Sequence, residues 1–392
     1  MFSASSAIAH RADNYTAPIL NHIVFLTMGI ALAWAIHFIP YKIIRILGFL
    51  GLITSLILLL YMLLPGRGVT LNHATRWVEI MGIRFQPSEI AKLSIVIVVA
   101  DFLTRIKEND PASEKKWFRY IMATVGIFCS IIFINNVSTA ILIFAIVFLM
   151  MLISRISLKR LGIISLVGLL VILGGYGTGK AMQNLPADSG IRNIPAFNRI
   201  PTMTARIDRF FVADENRFTL NDENRQANNA IIAIARGGGG IFGVWFGNSV
   251  QRDYLTFAYS DFIYAIAVEE GGLALGVFLI LLYLILVFRA GKIAMKCNAV
   301  FPALLVIGLS LMIAVQAFIS MAVTVGIGPV TGQPLPLISH GGTAIVITSV
   351  YFGIILGVTK QLKENQQAQA EGTIEDIPAV ELESLELKNT TI

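Results

Sequence analysis

The chain has 392 residues, of which 56% are hydrophobic and 14% charged, with a formal net charge of +6 and a mean hydropathy of +0.74. Soluble domains carry roughly 25% charged residues, so this deficit, spread over many long apolar runs, excludes an ordinary soluble domain and makes the bilayer the solvent. Two cysteines, Cys129 and Cys297, exclude a disulfide framework or a cysteine-rich metal site.

Residues 1–17 lack the apolar stretch of a cleavable signal peptide. After them, nine segments approach the roughly 20 apolar residues that a spanning helix needs: 18–39, 44–64, 88–105, 117–134, 138–154, 161–177, 260–288, 301–325 and 342–360. The third is the weakest, because Gln86-Pro87-Ser88-Glu89 opens it and Lys92 and Asp101 interrupt it. The predicted fold class is therefore all-α and polytopic. Residues 364–392 hold seven acidic residues, Glu364 and Glu386 among them, and no aromatic one, the composition of a disordered acidic tail.

Charge sorts the connections. Lys42 and Arg45 follow span one, and Arg105, Lys107, Lys115, Lys116 and Arg119 follow span three. Arg155, Lys159 and Arg160 follow span five, Arg289, Lys292 and Lys296 span seven, and Lys360 and Lys363 span nine. The positive-inside rule puts these alternate connections in the cytoplasm, with 65–87, 135–137, 178–259 and 326–341 outside; the long 178–259 loop translocates regardless of its arginines. An odd number of spans leaves residue 1 outside, and the expectation is that one further helix precedes it.

Several patterns mislead. Gly174-Gly175-Tyr176-Gly177-Thr178-Gly179-Lys180 imitates a phosphate-binding loop, but Ala181 stands where Ser or Thr would ligate magnesium, and the stretch faces outward. The run Gly237 to Gly240 follows no strand and reads as a flexible turn or a point of close backbone approach. His10, His22, His37 and His73 are scattered, with no metal-ligand spacing.

Three outward-facing segments can carry chemistry. Arg76-Trp77 is followed by Gln86-Pro87-Ser88-Glu89 and Lys92. Glu89 and Lys92 share a helix face and are either a functional pair at a wet cavity or an ion pair that fixes packing. Tyr259-Ser260-Asp261-Phe262 opens the seventh span, where Asp261 is either a helix cap or a carboxylate at the membrane boundary. Glu269 and Glu270 follow, Glu269 about 12 Å deeper at 1.5 Å per residue; they either line a polar cavity or bind neighbouring helices. The segment 326–342 holds three prolines and five glycines, which predicts irregular backbone beside a cavity.

Taken in order, these strings, together with Ala233 through Gly243, resemble the SEDS family of lipid II polymerases over nearly the whole chain. That family has ten spans, and its first ends in a string like Phe2-Ser3-Ala4-Ser5, which would make residues 1–17 the remnant of that helix ahead of a membrane domain at 18–363. Gly247-Asn248-Ser249-Val250-Gln251 and Thr204 through Phe211 are closer to the cell-division branch than to the elongation branch. The chain departs from the family at Asn136, where a carboxylate is common, at Tyr259-Ser260 before the retained Asp261, at Thr331, and at His340-Gly341-Gly342-Thr343-Ala344.

The resemblance implies a glycosyltransferase of the cytoplasmic (inner) membrane, acting at the division septum. The acceptor sugar's 4-hydroxyl attacks the anomeric carbon of lipid II, and undecaprenyl diphosphate leaves. Asp261 is the implied general base. Arg76, Trp77, Gln86, Glu89, Lys92, Arg236, Gln251, Ser339 and His340 are implied in substrate binding, with Arg76, Lys92 and Arg236 facing the diphosphate, with or without a divalent cation (Mg2+ or Mn2+). Implied partners are lipid II, a class B penicillin-binding protein and other divisome proteins, with no nucleic acid. The competing readings are an elongation polymerase, a lipid II flippase, for which inverted repeats would speak and none is found, and a non-catalytic division scaffold.

Overall fold

The computed structural model describes residues 17–64, 68–71, 74–80, 83–183, 200–211, 225–255 and 258–370. The N-terminal remnant and most of the acidic tail lie outside these. Each of the nine anticipated spans is a helix: α1 (Ala17–His37), α2 (Tyr41–Leu63), α3 (Pro87–Thr104), α4 (Pro111–Asn135), α5 (Val137–Ile153), α6 (Leu158–Gln183), then α9 (Ile263–Met295), α10 (Val300–Thr324) and α11 (Gly342–Ala370). The protein is a multi-pass, all-α membrane protein. Two shorter helices, α7 (Ile200–Phe211) and α8 (Arg225–Gly238), occupy the long connection before α9. The last helix continues to Ala370, seven residues into the stretch whose composition reads as tail.

Among the described residues, seven helices are long and apolar enough to cross a membrane. The other two are α3, which carries Glu89, Lys92 and Asp101, and α5, with only 17 residues. Both sit inside. Fourteen α3 residues are buried, the three charged ones among them, and α3 packs against α2, α4, α5 and α10. A helix with ionised side chains cannot face lipid, so it takes the centre, and uniformly apolar helices surround it. On α6, Leu166, Leu170 and Leu173 stand open, as side chains facing acyl chains do.

Local signals set the helix ends. Pro87 and Pro111 occupy the first turns of α3 and α4, where a missing N–H costs nothing. The Asp110 carboxylate accepts from Ala112 N at 2.9 Å and Ser113 N at 3.1 Å. The Asn136 side chain accepts from Thr139 N at 3.2 Å, so the amide standing where the family often has a carboxylate acts as the cap of α5. Gly174 through Lys180 are ordinary α6 helix, which disposes of the phosphate-loop pattern.

At the far end of α3, Asp101 takes Arg45 at 3.2 Å and Arg105 at 2.9 Å, and the Arg45 guanidinium lies 4.4 Å over the Phe301 ring. At the near end a small antiparallel sheet caps the bundle: β1 (Gly68–Leu71), β2 (Ala74–Ile80) and β3 (Ile83–Phe85), in the order β1-β2-β3. Its register pairs Val69 with Trp77 and Val78 with Phe85, which puts Arg76 and Trp77 on the central strand. Nothing in the helical periodicity foretells this sheet.

α9 is broken. Gly272 has φ 72° and ψ −171°, and the segment 240–245 lies against the break. Val244 N donates to Glu269 O and Trp245 N to Glu270 O, each at 3.0 Å, and Ala274 N returns a bond to Ile241 O at 3.1 Å. A Cβ on Gly243 would stand 2.2 Å from Glu269 O, and one on Gly237 2.1 Å from Val268 O. The glycine run is therefore a point of close backbone approach.

Candidate active site at the outer face

Residues 258–262 form the turn ahead of α9. The N-cap of α9 is Phe262, with no side-chain cap bond, so Asp261 is not the helix cap. Its Oδ1 instead accepts from Ser260 Oγ at 2.9 Å. Above it passes the proline-rich segment 325–341, non-helical as its composition predicts and bent through the left-handed region at Gly326, Gly332 and Leu337. A Cβ on Gly332 would meet Asp261 Oδ2 at 3.4 Å and Arg76 Nη1 at 3.6 Å, ordinary contact distances, so the segment passes between carboxylate and guanidinium, and the φ of 65° is what favours glycine there.

Six side-chain or backbone clamps fix that segment. Arg206 Nη1, from α7, donates to Val330 O at 3.0 Å. Gln333 Nε2 donates to Thr139 Oγ1 at 3.0 Å, and Gln316 Nε2 to Pro334 O at 3.0 Å. Tyr283 Oη donates to Pro336 O at 2.6 Å. Ser339 Oγ donates to Ser260 O at 2.6 Å while accepting from Leu335 N at 2.7 Å. His340 N donates to Tyr259 O at 2.8 Å. Irregular backbone at this depth persists because protein satisfies it.

Electrostatics concentrate on Asp261, which lies outside the membrane-spanning helices. Burial pushes its carboxyl above the usual range; the Ser260 hydroxyl and the guanidiniums of Arg76 and Arg206 pull in the other direction without cancelling the effect. Desolvation disfavours the charged carboxylate, and nearby cations favour it. Burial, then the neighbouring His22, holds the His340 imidazole below its ordinary value, so it is neutral near pH 7. The His340 ring packs edge-on to Tyr259 at 5.9 Å between centroids.

The structure divides the residues that sequence put together. Arg76, Ser339 and His340 converge on the Asp261 turn. Glu89 and Lys92 lie beneath it in the core: Lys92 Nζ meets Glu89 Oε1 and Gln316 Oε1, each at 2.8 Å, and is 1% exposed. Lys92 is linked to the irregular segment through Gln316, whose Nε2 donates to Pro334 O. The Gln86 side chain donates to Ser88 Oγ at 2.9 Å, and Trp77 sits half-buried in the sheet. Arg236 and Gln251 belong to another group, around Glu269. There the carboxylate accepts from Ser249 Oγ and from Val250 N at 3.2 Å, with Gln251 N at 3.5 Å and Arg236 Nη1 at 3.8 Å. Glu270 Oε1 accepts from Gly247 N at 3.2 Å. Of the two roles open to Glu269 and Glu270, the observed one is binding a neighbouring segment. Sequence reasoning missed Arg206, Gln316, Gln333 and Tyr283 as parts of the site.

Among the described residues no three His, Cys, Asp or Glu side chains converge on a common point. Asp261 has two guanidiniums for neighbours, whereas Mg2+ takes a full set of oxygens. These residues alone do not make a Mg2+ or Mn2+ site. An apolar cavity of about 630 Å³ opens between α4, α5, α6 and α7, lined by residues such as Val125, Phe133, Phe144, Ile172 and Met203.

Residues 1–364 match the family described as "Cell cycle protein", FtsW/RodA/SpoVE. The chain belongs to that family. Among FtsW/RodA/SpoVE relatives, it is 30% identical over 362 residues to the probable peptidoglycan glycosyltransferase FtsW of Coxiella burnetii (strain RSA 493 / Nine Mile phase I), covering 91% of this chain and 90% of that one. It is 32% identical over 372 residues to the protein of the same name from Nitrosococcus halophilus (strain Nc4), covering 91% and 86%. Its fold is similar to a chain of a peptidoglycan synthase complex solved to describe coordination of polymerization and crosslinking, with TM-score 0.66, 22% identity and 92% and 96% coverage. It is likewise similar to the rod shape determining protein RodA of Thermus thermophilus, with TM-score 0.61, 20% identity and 92% coverage of both chains.

Proposed function

We propose that this chain is a peptidoglycan glycosyltransferase that polymerises lipid II at the outer face of the cytoplasmic membrane during cell division, with Asp261 as general base. The observation that carries the reading is one desolvated carboxylate, raised towards the pH at which a base must work, between two arginines at the outward end of the bundle. A general base needs a single ionised group within hydrogen-bond reach of the attacking hydroxyl. The acceptor 4-hydroxyl gives its proton to Asp261 as its oxygen bonds to the donor's anomeric carbon. The bond from that carbon to the diphosphate breaks, and undecaprenyl diphosphate leaves. Arg76 and Arg206 stand where fixed positive charge would stabilise the departing diphosphate. Lys92, in this reading, holds the 333–334 backbone in place.

The name FtsW borne by the curated relatives supports septal use over elongation. The synthase complex supports a class B penicillin-binding protein as partner. The test is polymerisation of purified lipid II in detergent, with and without that partner. Glycan made by the wild type and a rate lower by about 10²- to 10⁴-fold in a folded Asp261→Asn protein is the expected result; a wild-type rate from Asp261→Asn overturns the assignment of the base. Lipid II translocation without any glycan product would favour the flippase reading instead.

A further inference from the structure

Among the described residues, the segment beside the α9 break carries the largest cluster of open aromatic surface outside the helices. Ile241 is 68% exposed, Phe242 73%, Trp245 71% and Phe246 72%. They do not lie on a loose loop. Five backbone or side-chain bonds to residues 269–274 hold it: Val244 N and Trp245 N to the Glu269 and Glu270 carbonyls, Ala274 N to Ile241 O, Gly247 N to the Glu270 carboxylate, and Val250 N to that of Glu269. Trp245 itself is held at φ 73°, a conformation that a bulky residue adopts only where its surroundings impose it. Fixing four large apolar side chains in water this way would be unfavourable, because apolar surface is driven out of water.

Depth decides what covers them. Between Glu270 and Arg289, residues 271–288 carry no charged side chain. At 1.5 Å per residue they measure about 27 Å, close to the roughly 30 Å of the hydrocarbon core. With Arg289, Lys292 and Lys296 at the cytoplasmic end, the break at Gly272 falls at the outer edge of the hydrocarbon. Just below it, Leu273, Val277 and Phe278 of α9 are open, so the aromatic patch continues the lipid-facing belt upward. Aromatic side chains gather at this level in membrane proteins. The segment's N–H groups at Val244, Trp245 and Gly247 are already bonded to α9, which lowers the penalty that bars irregular backbone from lipid.

We infer that residues 240–247 form a rigid finger inserted into the outer-leaflet interface of the bilayer, with Ile241, Phe242, Trp245 and Phe246 seated among phospholipid glycerol and upper acyl groups. The finger is bonded to α9 eight residues below Asp261, about 12 Å at 1.5 Å per residue. It therefore pins α9 vertically and sets the height of the Asp261 turn above the hydrocarbon, at the level of lipid headgroups.

The test needs no activity. Phe242→Cys and Phe246→Cys, each in a Cys129→Ala, Cys297→Ala background, carry a nitroxide in the full chain reconstituted into phosphatidylcholine–phosphatidylglycerol vesicles. Collision with oxygen, enriched in lipid, is compared with collision with a nickel chelate, confined to water. Labels at Asp253→Cys and Phe278→Cys give the aqueous and lipid references. The expected oxygen-to-nickel ratio at both finger positions is severalfold above that at 253 and no higher than that at 278. A ratio equal to that at 253 overturns the proposal by placing the finger in water. Exclusion of both reagents overturns it by placing protein, such as a second copy of the chain, over the patch. Two independent positions guard against one substitution disturbing the finger.

Discussion

Glu89 with Lys92 and Asp261 with Arg76 and Arg206 are both acid–base groups near the outer end of the bundle, yet they are finished differently. Lys92 has a carboxylate and an amide oxygen at 2.8 Å each, and nothing from outside reaches it. Asp261 has one neighbouring hydroxyl at hydrogen-bond distance and two cations acting through space. A buried charge must be paired to be tolerated, so the inner group is saturated and serves shape. The outer group keeps capacity for another ligand, which is what chemistry requires. The Gln316 side chain of α10 and the Pro334 carbonyl of the irregular segment link the inner group to the backbone that lies against Asp261.

The sharpest way to break this contrast is Asp261→Asn. It should lower polymerisation by about 10²- to 10⁴-fold, the usual worth of a general base, with an unchanged melting temperature in detergent. The mirror experiment is Lys92→Met, which leaves Glu89 buried and unpaired. It should destabilise the fold by about 3–5 kcal/mol, measured as a lower melting temperature, and Glu89→Gln added to it should recover part of the loss. If Lys92→Met instead left stability intact and abolished glycan, the inner group would belong to the chemistry. Gln316→Leu cuts the link between the two groups and strips Lys92 and Pro334 O of a partner. An effect of about 1–3 kcal/mol on stability follows from the unsatisfied groups, along with a fall in turnover larger than the change in apparent KM. The smallest effect concerns pH. Because the Asp261 carboxyl is raised, the active ionised form is lost on acidification at a pH above the ordinary aspartate range. Arg206→Gln removes a charge that favours the ionised form, so the acid limb of the rate profile should move further upward in pH.

The helices were legible because lipid demands long apolar runs, and the alternation of basic connections supplied their order. The weakest candidate, α3, is the most buried helix among the described residues, and its charged side chains are the reason; α5 fell short in length alone, being strongly apolar throughout. The sheet at 68–85 escaped because its strands pair short stretches with no helical period. Asp261 could be singled out from its neighbours in sequence, but whether it capped α9 could not, since that depends on where the first helical turn closes. Arg206 sits in a long connection whose charge pattern carries no register, so only the fold could bring it to the Asp261 turn. Arg236 and Gln251 lie near Glu269 for the same reason in reverse: motif order along a chain says nothing of which carboxylate each will face.

One consequence lies in the order of synthesis. Thr139, Arg206, Tyr259, Ser260, Tyr283 and Gln316, which hold the segment 325–341, all precede it in the chain. When that segment emerges from the ribosome, the residues that clamp it have already been synthesised, and α11 then closes against α1. The part of the molecule most dependent on distant residues is therefore the part that waits longest, so a truncated or half-inserted chain has no completed site to present.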